Sequence, residues 1–155
     1  MTFVLDASVA LAWCFPDECS MSANTMRDAV AVVGAVAPAL WTYEVGNALR
    51  SAERFGRVSS SQAISVAAEL LRLPILTCDQ PLDYVLTEVS RLASKHTLSV
   101  YDASYLALAL QRSAPLATLD GVGRRNGLRQ AAVMAGVSLL DDALAAAWAR
   151  RISPP

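Results

Sequence analysis

A chain of 155 residues, 54% of them apolar, can bury one sizeable core, which excludes an intrinsically disordered polypeptide. Its formal charge of −1 provides no global basic field for nucleic acid, so any such binding must rely on local arginines. The cysteines Cys14, Cys19 and Cys78 lack zinc-type or C-x-x-C spacing, which excludes a metal-thiolate framework and reads as reduced thiols.

The chain opens on a strand over residues 3–5, an apolar run stopped by Asp6, followed directly by a helix over 7–13. A helix is expected over 22–33, a short buried strand over 35–38, and a longer helix over 40–55 that Gly56 stops. A Ser-rich start opens a further helix over 59–73, closed by Pro74, and residues 75–77 form the third strand candidate. Helices over 81–94 and 102–111 precede a strand over 115–119 that ends at Asp120. A short helix over 128–134 and a last strand over 137–140 complete the pattern, with 152–155 as a frayed tail. Strands alternating with helices predict an α/β fold: a single domain over 1–151, with a mostly parallel sheet of four to five strands covered by helices on both faces. The first apolar run carries Asp6 and lacks a basic leader. The longest apolar stretch, 29–41, contains Gly34 and Pro38 and falls short of the roughly 18–20 residues of a membrane span, so a cytoplasmic protein is expected.

Four acids stand where strands end or where helices can bring them to the same edge: Asp6, Glu44, Asp102 and Asp120. In open parallel sheets, ligands bind beyond the carboxyl ends of the strands where strand order reverses. Each acid alone reads as a cap or a solvated residue, and Asp102 at a helix start fits the macrodipole as it stands. Gathered together they differ, because two carboxylates about 5 Å apart repel by roughly 3 kcal/mol at an effective dielectric near 20. A cation relieves that repulsion, and an all-oxygen ligand set favours Mg²⁺ or Mn²⁺ over Zn²⁺.

These residues resemble the PIN-domain ribonucleases, and among them the VapC-like toxins of type II toxin–antitoxin pairs. Asp6-Ala7-Ser8 is similar to the family's D-x-S opening, Glu44-x-x-Asn47 to its E-x-x-N, Asp102-Ala103-Ser104-Tyr105-x-Ala107 to its D-x-x-Y-x-A, and Thr118-Leu119-Asp120 to its T-x-D. The resemblance spans nearly the whole chain. It implies a metal-dependent endoribonuclease in which Asp6, Glu44, Asp102 and Asp120 hold one or two Mg²⁺ or Mn²⁺ ions and hydrolysis leaves 5′-phosphate and 3′-hydroxyl ends. It further implies that Ser8 and Asn47 orient ligands or substrate, that Thr118 fixes Asp120, and that the partners are an RNA substrate, a cognate antitoxin and a second copy in a homodimer. The segment after Asp120, GVGRRNGL, departs from the family's direct run into a helix, which leaves Asp120 as the peripheral ligand.

Arg50, Arg54 and Arg57 form a stripe on the helix of Glu44, roughly 80 to 140° around from it at 100° per residue, and flank a groove or simply face solvent. Arg124, Arg125 and Arg129 follow Asp120, so either set can supply phosphate contacts. Trp13, Phe15, Trp41 and Tyr43 read as core, or as anchors of a groove for an amphipathic antitoxin segment. His96, the sole histidine, reads as a surface or capping residue. A receiver-type phosphoacceptor, which needs an early acid pair and a late lysine, is disfavoured. So is a D-x-D phosphatase, because Ser8 stands where its second aspartate belongs, and nucleotide folds lack their glycine motifs. The remaining alternative is a catalytically silent module of the same fold that binds RNA or protein.

Overall fold

The computed structural model describes residues 2–150 apart from Pro16, Cys19 and 121–126. Arg124 and Arg125, residues 121–126 of the departure after Asp120, and the expected tail therefore lie outside the described residues. Strand β1 (Phe3–Leu5) is wholly buried, as is β2 (Ala35–Pro38), which matches the continuous apolar character of strands covered on both faces. β3 (Ile75–Cys78) and β4 (Leu116–Ala117) complete a four-stranded parallel sheet in the order β3-β2-β1-β4. β3 lies at one edge, which explains why Leu76 and Thr77 are exposed. The chain leaves β1 toward β2 on one side and meets β4 on the other, so order reverses between β1 and β4. Asp6 follows the first of these strands and Thr118 to Asp120 follow the second.

Helix α1 (Ala7–Cys14) follows β1 at once, and α2 (Met21–Val33) is capped by Ser20, whose hydroxyl accepts from the Ala23 amide. α3 (Leu40–Arg54) carries Glu44, and α4 (Ser60–Leu70) opens on a capping box of Ser59 and Gln62. α4 ends short of the expected residue 73, because 71–73 turn to deliver the chain to Pro74, before which helical backbone is disfavoured. α5 (Leu82–Tyr84) passes through a π-helical turn (Val85–Val89) into α6 (Ser90–His96). The Ser90 hydroxyl donates to the Val85 carbonyl at 2.8 Å within this turn. α7 (Val100–Arg112) packs across β1, β2 and β4, and α8 (Leu128–Met134) packs on α7.

Two expectations change at the C-terminal end. The strand expected over 137–140 is a single parallel bridge, Leu116 to Leu139, held by Leu116 N–H to the Ser138 carbonyl and Leu140 N–H to the Leu116 carbonyl, both 2.9 Å. Helix α9 (Asp142–Ala149) had no counterpart in the sequence reading; it packs on α2, and Trp148 meets Phe3 with ring centroids 5.8 Å apart. Among the described residues no helix is long and apolar enough to cross a membrane.

Gly34 joins α2 to β2 at φ 71° and ψ 168°, a conformation essentially reserved for glycine, and a Cβ there would lie 3.2 Å from the Pro74 carbonyl oxygen. That carbonyl accepts from the Ala35 amide at the start of β2. Gly34→Ala is expected to cost about 1–3 kcal/mol of stability, read as a lower urea midpoint at unchanged slope.

Candidate active site

Asp6 leaves β1 as the residue before α1, and its side chain makes no cap hydrogen bond to that helix. It is 6% exposed. One of its oxygens accepts from the Ser8 hydroxyl at 2.5 Å and from the Thr118 hydroxyl at 2.7 Å. The Thr118 hydroxyl also accepts the Asp120 amide at 3.0 Å, and the Ser8 hydroxyl accepts the Leu119 amide at 3.0 Å, which ties β1 to the chain leaving β4. Asp120 accepts from the Leu128 amide at 3.1 Å, and Arg129 donates to the Thr118 carbonyl at 3.3 Å.

Asp102 lies in the first turn of α7 and is not its cap. Ser99 is the cap: its hydroxyl accepts the Asp102 amide at 3.0 Å and donates to the Asp102 carboxylate at 2.7 Å. Glu44 projects from α3 toward α7, where the hydroxyl of the fully buried Tyr105 donates to one carboxylate oxygen. Sequence reasoning placed Tyr105 in a motif without a role and passed over Ser99; a hydroxyl three residues before Asp102 was the available signal for the latter.

The four acids share a common field. Burial pushes the Asp6 carboxyl above its ordinary value, against the pull of Ser8 and Thr118, and the charges of Asp102 and Asp120 push it further. Burial likewise raises Glu44, opposed by the Tyr105 hydrogen bond and reinforced by Asp6 and Asp102. Burial and the neighbouring Glu44 hold the Tyr105 phenol far above its ordinary value, so it stays a neutral donor. Among the described residues no salt bridge involves these acids, and no three acidic, histidine or cysteine side chains converge as a finished metal cage. Among the described residues the carboxylates are separately held, electrostatically coupled and hydrogen-bonded by neutral donors. An oxygen-only set in which burial raises Asp6 and Glu44, with no basic side chain paired to it among the described residues, fits a hard divalent ion by its chemistry.

The other expected residues fall differently. Asn47 is exposed and makes no hydrogen bond to the four acids among the described residues. Arg57 does not extend the α3 stripe, because the helix ends at Arg54 and Gly56 turns the chain at φ 70°. Its guanidinium instead pairs with Asp17 at 2.6 Å and Glu18 at 2.7 Å and lies 4.0 Å over the Phe15 ring. Arg50 pairs with Glu53, and Arg54 stacks on Phe55. Phe15 and Trp41 are buried, Trp13 donates its indole N–H to the Ala23 carbonyl, and Tyr43 is exposed, against the core reading. His96 ends α6 half-buried, with both ring nitrogens shielded and without a hydrogen-bond partner among the described residues, which corrects the surface or capping reading.

A four-stranded parallel sheet whose two strands at the order reversal are followed by Asp6 and by Thr118 to Asp120 defines an α/β domain with acidic side chains at the carboxyl ends of its central strands. Residues 3–127 match the PIN domain, and the chain belongs to the PIN-domain family. It is 32% identical over 120 residues to Ribonuclease VapC3 of Pyrobaculum aerophilum, a match covering 77% of this chain and 90% of that protein. The crystal structure of PAE2754 from Pyrobaculum aerophilum aligns with a TM-score of 0.63 at 27% identity, covering 97% of this chain and 100% of that one.

Proposed function

We propose that the protein is a metal-dependent endoribonuclease that hydrolyses RNA phosphodiesters and acts as the toxin of a toxin–antitoxin pair. The observation that carries this reading is the buried Asp6 carboxylate at the reversal point, coupled to three further acids and offset by no cation among the described residues. Similarity to Ribonuclease VapC3 over most of both chains supports the substrate class. Asp6, Glu44, Asp102 and Asp120 would hold Mg²⁺ or Mn²⁺. Bound there, the metal supplies Lewis acidity at phosphate oxygens and lowers the pKa of water.

The chain's own residues set the rest. Ser8 and Thr118 orient Asp6, Ser99 orients Asp102, and the Leu128 amide with Thr118 holds Asp120 at the rim. Arg50 and Arg54 remain exposed on α3, and an exposed pair such as Arg50 to Glu53 is weak enough to yield to phosphate. Arg57 is less available for that role, since it already pairs with two carboxylates, Asp17 and Glu18, and lies over the Phe15 ring.

Incubation of a structured RNA with the protein and Mg²⁺ or Mn²⁺ is expected to give internal cuts with 5′-phosphate and 3′-hydroxyl ends. EDTA is expected to stop cleavage, and excess Mn²⁺ to restore it. No cleavage across a broad RNA panel, with binding retained, would favour the silent module instead. Equal cleavage by Asp102→Asn would assign the activity to another site or a contaminant.

A further inference from the structure

We infer that Tyr105 is a positioning residue of the acidic site, its hydroxyl setting the Glu44 carboxylate of α3 against the β1 end that carries Asp6. The inference rests on the nuclease reading for its function and on geometry for its substance. On α7, Asp102 and Tyr105 are three residues apart and share a face. The Asp102 carboxylate acts on Asp6 and Glu44 through its charge, while Tyr105 acts on Glu44 directly, to which its hydroxyl donates. One hydroxyl therefore joins two elements, α3 at Glu44 and α7 beside Asp102.

Core filling does not explain this hydroxyl. The ring is completely buried, and phenylalanine would occupy the same space. A buried phenol needs an acceptor, but a backbone carbonyl serves that need more cheaply than a half-buried carboxylate in the field of Asp6 and Asp102. Held through one oxygen, Glu44 keeps the other for a ligand.

The test is a double-mutant cycle on RNA-free protein, with Mn²⁺ binding followed by the electron paramagnetic resonance of the free ion in wild type, Tyr105→Phe, Glu44→Gln and the double variant. Tyr105→Phe is expected to weaken Mn²⁺ binding about tenfold or more, as loss of a supporting partner of a metal ligand does. In the Glu44→Gln background the same change is expected to alter affinity by less than about twofold, because its route of action is gone. Wild-type affinity in Tyr105→Phe, or effects that multiply in full, would overturn the inference. If Tyr105→Phe does not fold, the hydroxyl proton of Tyr105 in the wild type reads the same link by NMR. It is expected to shift on titration with Mg²⁺, and an unmoved resonance overturns the proposal. A wild-type protein that binds Mn²⁺ and cuts no RNA would remove the nuclease reading alone, leaving the cycle to decide Tyr105.

Discussion

Asp6→Asn is expected to lower RNA cleavage by at least about a hundredfold, since loss of even a partner that orients a metal ligand costs about 10- to 100-fold. The substitution is sharp because it leaves the local geometry almost intact. Ser8 and Thr118 both donate to a single oxygen of Asp6, and the carbonyl of asparagine can accept both bonds. Packing around the 6%-exposed side chain is retained, so the change is confined to one negative charge. Asp102→Asn should be comparably damaging. Asp120→Asn should cost less, because the charge of Asp120 falls on Asp6, whereas that of Asp102 falls on both Asp6 and Glu44. Initial rates on one RNA at fixed Mn²⁺ rank the three, and an Asp120→Asn loss exceeding the other two would reverse the assignment of ligand roles.

The same substitution is expected to stabilise the metal-free protein and to flatten its response to pH. Between the ordinary aspartate value of 3.8 and the higher value Asp6 takes when folded, the native state keeps a proton that the unfolded chain has released. Its contribution to stability is therefore greatest at acidic pH and declines as pH rises through that window. Glu44 acts in the same direction, from its ordinary 4.5 upward. Asp17 and Glu88, paired with arginines on the surface, have lowered values, so their opposite contribution falls at more acidic pH. Thermal unfolding in EDTA across the acidic to neutral range should show a midpoint that falls with rising pH in wild type and falls less in Asp6→Asn. Mn²⁺ should restore the wild type most at neutral pH, where carboxylates no longer hold protons against the ion. Equal slopes in the two proteins would mean that the Asp6 charge is compensated in solution.

Taken together, these two results would describe a site that costs stability in order to bind a cation. Neutral donors keep each carboxylate in place without cancelling its charge: Ser8 and Thr118 for Asp6, Tyr105 for Glu44, Ser99 for Asp102 and a helix amide for Asp120. An arginine placed there would stabilise the fold and fill the position of the metal. Arg57, which follows α3, is drawn instead to Asp17 and Glu18.

Much of this was legible in the chain because it is written locally. Phe3-Val4-Leu5 stopped by Asp6 reads as a buried strand with an acid at its carboxyl end, and β1 is that strand. The alternation of short apolar runs with helical segments specifies a parallel sheet, since only helical crossovers return a chain to run parallel and only covered strands are continuously apolar. The weak points were those that borrow their stability from elsewhere. Helix α9 is largely alanine with little amphipathic contrast, and it is placed by packing on α2 and by Trp148 against Phe3. Residues 137–140 were apolar enough for a strand, yet a sheet ending at the two-residue β4 offers them one bridge.

By itself the amino-acid sequence determined the strand and helix order as far as α8 and which residue types could serve a hard cation, because propensity, periodicity and carboxylate chemistry act over a few neighbouring residues. Tertiary structure alone decided that strand order reverses between Asp6 and Asp120, that Tyr105 grips Glu44 from 61 positions away, and that Arg57 turns to Asp17 and Glu18. Those choices depend on contacts between segments distant in the chain, whose energies exist only once the core has brought them together.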